Sequence, residues 1–182
     1  ELKTMNLFLI TFEDLSNEVF PADIVIIPYV GAESLNIQKK VGSQYLLGHK
    51  FFPIREEFRK VAKNQIPQKD VKTILISMGG SDPNQITTKV VKALAKLKYN
   101  VHLKVVLGGL SRIADEQIQA LLNNYIGSFQ IIRDVQNMAE LMNESQLAIT
   151  NSGLTKYEMA SMGLPAIVIS NNDKHADLMD DF

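Results

Sequence analysis

The 182-residue chain has no cysteine. That excludes disulfides, thiolate metal sites and a cysteine nucleophile. It suits a reducing cytoplasm, which is the compartment we expect. Charge of one sign is lacking too, with 19 Lys and Arg against 20 Asp and Glu. Nucleic-acid binders usually carry a clustered basic face, so we expect no nucleic-acid partner. Long apolar runs are missing. "LFLI" and "DIVIIPYV" fall far short of the roughly 18 to 20 residues of a membrane span. "ELKTMNLFLITFEDL" lacks the basic start, long apolar middle and small-residue cleavage site of a signal peptide. His49, His102 and His175 are scattered, none paired at metal-ligand spacing, so we expect no structural metal. There is no internal repeat and no low-complexity tract. With 46% hydrophobic residues the chain can bury a core. Its length suits one domain, or one domain plus part of another. It begins without Met and ends at "MDDF", from which we expect a fragment.

"MNLFLITFEDL" and "ADIVIIPYV" read as buried strands. "GAESLNIQKKVGSQYLLG" reads as loop and connector. "HKFFPIREEFRKVAKNQIPQKD" is charged, with helical character from Ile54 to Asn64 and a polar, Pro-bearing end. We read residues 50–70 as a linker between a partial first domain, 1–49, and a second domain, 71–182. The second is regular. The strands "VKTILISM", "VHLKVVLGG", "SFQIIRD", "QLAIT" and "PAIVIS" alternate with amphipathic helices. In the first of these, Ile86, Val90, Val91, Leu94 and Leu97 share a face. Apolar strands alternating with helices predict an α/β fold with a parallel sheet covered on both faces.

In such sheets ligands bind at the carboxyl ends of the strands. Two strand-to-helix junctions stand out. In "ISMGGSDPNQ", two glycines follow a strand directly and let the backbone approach a ligand, and the next helix start attracts anions. The stretch is neither G-x-G-x-x-G nor a P-loop. It also has a purely local reading: Asp82 as N-cap, Pro83 as first helical residue and Gln85 as capping-box partner. In "TNSGLTKYE", Thr150, Asn151 and Ser152 are small polar groups at a strand end, and Gly153 opens the backbone. Here too a local reading exists. Thr155 and Glu158 form a T-x-x-E capping box, and Gly163 and Pro165 stop the helix. Two such loops in one sheet favour a diphosphate, which needs N–H donors from more than one direction. A carboxylate one turn along a helix can then accept ribose hydroxyls. Glu13 and Asp14 read as a solvated turn. His102 reads as a sheet-face residue, and Met138, Met142, Met159 and Met162 as core.

"ILISMGGSDPNQIT", "RDVQNMAELMNESQLAITNSGLTKYEMASMGLPAIVI" and "YLLGHKFFPIREEF" together resemble the nucleotide-sugar hydrolases of pseudaminic acid biosynthesis. Those enzymes release UDP from UDP-diacetamido-trideoxy-β-L-altropyranose. The spore coat polysaccharide biosynthesis proteins look equally close, and both groups are similar to the peptidoglycan N-acetylglucosaminyltransferase. The resemblance implies a GT-B fold, two Rossmann-like domains with parallel sheets, of which the first is incomplete here. It implies a UDP-sugar substrate and no cofactor. By the same resemblance Gly79, Gly80, Ser81, Ser152, Gly153 and Thr155 border the diphosphate. Val135 meets uracil through its backbone with Met138 behind it, and Glu158 binds the ribose. Asn172 and His175 occupy the sugar side, in "NNDKHADL", where the family usually has a Gln-rich segment. The family's catalytic His lies in an N-terminal Gly-rich loop that this chain lacks, and His49 stands in a different motif. Hydrolysis by water is the leading expectation. Transfer to an acceptor and a non-catalytic nucleotide-binding module are the alternatives.

Overall fold

The apolar runs of the sequence become strands, and each strand runs parallel to its neighbours. The computed structural model describes residues 7–12, 21–61 and 70–170. Glu13, Asp14, Asn172 and His175 lie outside the described residues. The chain divides into two units, one running to Pro53 and one starting at Ile54.

In the first unit β1 (Ile10–Phe12), β2 (Ile24–Ile27) and β3 (Gln44–Leu47) form a sheet in that order. Period-two alternation turns Val25 and Ile27 inward, where they pack with Ala22 and Ala32. Two side-chain bonds tie the strand starts together. The Leu9 N–H donates to Asp23 Oδ2 at 2.8 Å, and the Ser43 hydroxyl donates to the Ala22 carbonyl at 2.6 Å. The strand β3 falls in the stretch expected to be loop. Its Gln-Tyr-Leu-Leu has no β-branched residue, and pairing with β2 makes it a strand. The strand β1 departs from the buried strand expected there. Among the described residues it pairs with β2 alone, and Ile10 and Phe12 are exposed.

The second unit holds β4 (Thr73–Ser77), β5 (His102–Val106), β6 (Ser128–Ile132), β7 (Leu147–Asn151) and β8 (Ala166–Ile169) in the order β6-β5-β4-β7-β8. All four pairings are parallel. Alternation splits the apolar strand residues between two faces. Ile74, Ile76, Leu103, Val105 and Ile149 meet α2 (Ile86–Leu94) and α3 (Asp115–Leu121). Leu75, Val106 and Ala148 meet the other layer, built from α1 (Glu56–Val61), α4 (Met138–Asn143) and α5 (Thr155–Ser161). Both faces are therefore covered, as the alternation of strands and helices predicts. The expected sheet-face residue His102 sits on β5, its Nδ1 2.8 Å from the hydroxyl of its register partner Ser128. Met142, Met159 and Met162 are core, as expected.

The helix α1 lies inside the stretch expected to be a linker. Phe58 is fully buried among Leu75, Met142 and Met159, and α1 touches both α4 and α5. Glu56, Arg59 and Lys60 are exposed on its outer side, where Lys60 and Glu56 pair at 3.0 Å. Residues 54–61 are thus part of the second unit, and 62–69 lie outside the described residues. The stop of α5 follows the sequence expectation. Gly163 takes φ 68°, its N–H reaches the Ala160 carbonyl, and the Leu164 N–H reaches the Met159 carbonyl. That is a Schellman end with glycine at the left-handed position.

Candidate functional site

The chain leaves β4 towards β5 and β6 on one side, then returns to build β7 and β8 on the other. A crevice forms outside the carboxyl ends of the strands where the direction of winding reverses. Here that point lies between β4 and β7. Their ends are in register, Ser77 opposite Thr150. The two loops singled out in the sequence therefore start side by side.

Side chains fasten them. The Thr150 hydroxyl donates to the Ser77 carbonyl at 2.9 Å in a buried setting. The Asn151 amide donates to the Met78 carbonyl at 2.8 Å, while its oxygen accepts from the Gly153 N–H at 3.1 Å. Gly79 adopts φ 81°, and a Cβ there would lie 2.9 Å from the Asn151 amide nitrogen. At Gly80 a Cβ would meet nothing within 4 Å, so the loop backbone faces open space there.

A third loop, after β5, closes on the first. A Cβ on Gly108 would lie 2.4 Å from the Gly80 carbonyl oxygen and 2.5 Å from that of Gly79. The Leu110 N–H also donates to the Gly80 carbonyl at 3.0 Å. Gly108→Ala must therefore push backbone against backbone. We expect a loss of about 1–3 kcal/mol in urea denaturation, with the displacement falling on the Gly79–Gly80 loop.

The start of α2 differs from the expected cap. The helix begins at Ile86 rather than Pro83, and Gln85 sits at φ 49° instead of serving as a capping-box partner. Asp82, itself at φ 41°, reaches across the turn. Its two carboxylate oxygens accept from the Ile86 and Thr87 N–H groups at 2.8 and 2.9 Å. The seat that this helix offers an anion is thus filled by the protein's own carboxylate.

The start of α5 also differs. Thr155 is its first residue, Leu154 precedes it in helical conformation, and no side chain caps the end. The Thr155–Glu158 capping box is not formed, because Thr155 stands inside the helix and not at its N-cap. Glu158 faces another partner. Its Oε1 accepts from the Arg55 Nε at 2.9 Å, across 103 residues of sequence. Glu158 is buried and Arg55 half-exposed. Glu57 stands 3.3 Å from the same guanidinium. The hydrogen bond to Glu158 pushes the Arg55 guanidinium above its ordinary value, against the opposing pull of burial. Among the described residues no hydrogen-bond donor reaches Glu158 Oε2. Next to it, burial lowers the Lys156 ammonium below its ordinary value.

The remaining expected residues fall as follows. Ser81 is exposed at the tip of the first loop, Ser152 is buried, and Gly153 and Thr155 are half-buried. Val135 and Met138 are half-buried at the edge of the cluster that holds Met159 and Phe58. Sequence reasoning did not single out Arg55, the bridging role of Asn151, or Gly108. The Gly-Gly after "VHLKVVL" repeats the Gly-Gly after "ILISM" and could have flagged the third loop. Nothing local marks Arg55. Among the described residues no three His, Asp or Glu side chains gather as metal ligands. No helix among them is long and apolar enough to cross a membrane.

Comparison with known proteins bears on this arrangement. Residues 73–181 match the glycosyltransferase family 28 C-terminal domain. The chain is 36% identical over 169 residues to the uncharacterized protein MJ1062 of Methanocaldococcus jannaschii, covering 88% of this chain and 35% of that protein. It is 28% identical over 131 residues to the spore coat polysaccharide biosynthesis protein SpsG of Bacillus subtilis, covering 71% of this chain and 36% of that one. The chain therefore spans about a third of the length of these relatives. Among solved structures, Acinetobacter baumannii MurG superposes with a TM-score of 0.60 over 98% of this chain and 51% of its own, at 17% identity. That likeness is one of fold, and the fold is the expected α/β, GT-B type with parallel sheets.

Proposed function

The chain belongs to the glycosyltransferase family 28 C-terminal domain family, and from that premise we propose that it binds a UDP-sugar as the donor-side part of an enzyme that releases UDP. The observation that carries this reading is Glu158. It is a buried carboxylate one turn beyond the crevice loop, with one oxygen on Arg55 and, among the described residues, no donor on the other. A ribose presents adjacent hydroxyl donors to such a group, as in dinucleotide sites. Gly79, Gly80, Ser81, Ser152, Gly153 and Thr155 border the diphosphate in this reading. Val135 meets uracil through its backbone, Met138 lies behind it, and Asn172 and His175 face the sugar. Residues 71–182 serve as the nucleotide-sugar-binding domain, and 1–49 as part of the companion domain.

In the leading version water attacks the anomeric carbon. The bond from that carbon to the diphosphate oxygen breaks, and UDP leaves with the electron pair. Loop N–H groups meet the charge that develops on the diphosphate. A general base outside this chain takes the proton from water. The family's glycosyltransferase name favours a second version, in which an acceptor hydroxyl replaces water.

Calorimetric titration of the chain with UDP tests the core of the proposal. We expect saturable binding, and none at millimolar UDP would leave a non-catalytic scaffold as the better reading. A UDP-release assay on the full-length protein, with and without an acceptor, separates hydrolase from transferase. The chain alone should release no UDP from a UDP-sugar, and turnover by it would place the base within these 182 residues.

A further inference from the structure

We propose that Arg55 is a positioning residue for nucleotide binding: it clamps one oxygen of Glu158 so that the other faces the ribose, and so sets a preference for ribonucleotides over deoxyribonucleotides. This rests on the ribose reading of Glu158 given above.

The guanidinium is itself held in place. Its Cζ lies 4.8 Å from the centre of the Phe58 ring, and that ring is fully buried. Glu57 stands 3.3 Å from Nη1 on another side. The Nε is then left to meet Glu158 Oε1 at 2.9 Å. A glutamate carboxylate has a broad terminal torsion, so its plane is set by its partners and not by its own rotamer. Here the cation engages it through Nε on Oε1, and not through the two parallel bonds of a bidentate fork. A fork would occupy both oxygens. The observed contact fixes the plane and keeps Oε2 for a second donor. Arg55 stands just ahead of α1, and Glu158 lies within α5. These helices pack together through the core around Phe58 and Met159. A substitution at position 55 therefore acts on the ligand through Glu158.

The experiment measures the affinities of UDP and 2′-deoxy-UDP for the full chain and for Arg55→Ala, Arg55→Gln, Glu158→Gln and the Arg55→Ala/Glu158→Gln pair, with a thermal melt of each. The wild type should prefer UDP. Arg55→Ala should lower that preference about three- to tenfold while keeping a cooperative melt. Arg55→Gln retains a stem over Phe58 and should show the same loss if the alanine variant melts early. Glu158→Gln should remove most of the preference, and adding Arg55→Ala to it should change the ratio no further. If the Arg55 variants weaken both nucleotides by one common factor, or leave the ratio unchanged, while Glu158→Gln abolishes it, the positioning role is overturned and the ribose reading stands. If Glu158→Gln leaves the ratio intact, both fall.

Discussion

Glu158→Gln is expected to weaken UDP binding about 10- to 100-fold while the chain keeps its fold. The magnitude follows from replacing a charged acceptor by a neutral amide, since hydrogen bonds to charged groups contribute about 1.5–3 kcal/mol. The volume of the side chain is unchanged, so packing around α5 is not disturbed. The ion pair with Arg55 is lost, but that arginine side chain is 55% exposed and water already screens the pair. Its removal should cost under about 1 kcal/mol. A calorimetric titration with UDP, paired with a thermal melt, separates the two effects. Unchanged affinity in a folded variant would return Glu158 to the bland role of an arginine partner between two helices.

Phe58→Ala should produce the largest loss of stability of any substitution considered. The ring is 0% exposed and packs with Leu75, Met142, Met159 and Met162. Truncating such a residue costs about 3–5 kcal/mol, the lost transfer energy plus the cavity left behind. Whole domains are stable by only about 5–15 kcal/mol, so the midpoint of chemical denaturation should fall sharply. The result bears on where the second unit begins. A chain cut at residue 71 would lack this ring and expose the apolar face that it covers. A change below about 1 kcal/mol would show instead that residues 54–61 act as a tether. The variant also removes the surface on which the Arg55 guanidinium lies, so a folded remnant should bind UDP more weakly.

The second unit was legible because its residues agree with one another. Runs such as "TILIS" and "LAITN" are rich in β-branched and apolar residues, and Ile86, Val90 and Leu94 recur at helical spacing in the helix between β4 and β5. Each local preference points to the structure that packing requires. The strand β3 was not legible, because Gln44 to Leu47 becomes a strand through its neighbour and not through its composition. The α1 segment reads as linker because five of the seven residues in "REEFRKV" are charged, which hides the one ring that matters. The two loops of the crevice were found from their glycines and small polar residues, and strand order brought them together. The Thr155 cap failed by a single position. A T-x-x-E spacing fits a capping box only when the threonine stands outside the helix, and here Leu154 already has helical dihedrals. The partner of Glu158 was out of reach for a different reason. Arg55 is 103 residues away, and only the packing of α1 against α5 makes them neighbours.

Thr150 and Asn151 carry a consequence for the entropy of binding. Their bonds to the Ser77 and Met78 carbonyls join the ends of β4 and β7 through side chains as well as through the sheet ladder. We expect loops joined in this way to open as one unit, with matching hydrogen-exchange protection in both. Ordering a loop around a ligand ordinarily subtracts from affinity. A floor tied together by the sheet before any ligand arrives leaves less of that cost to subtract from binding.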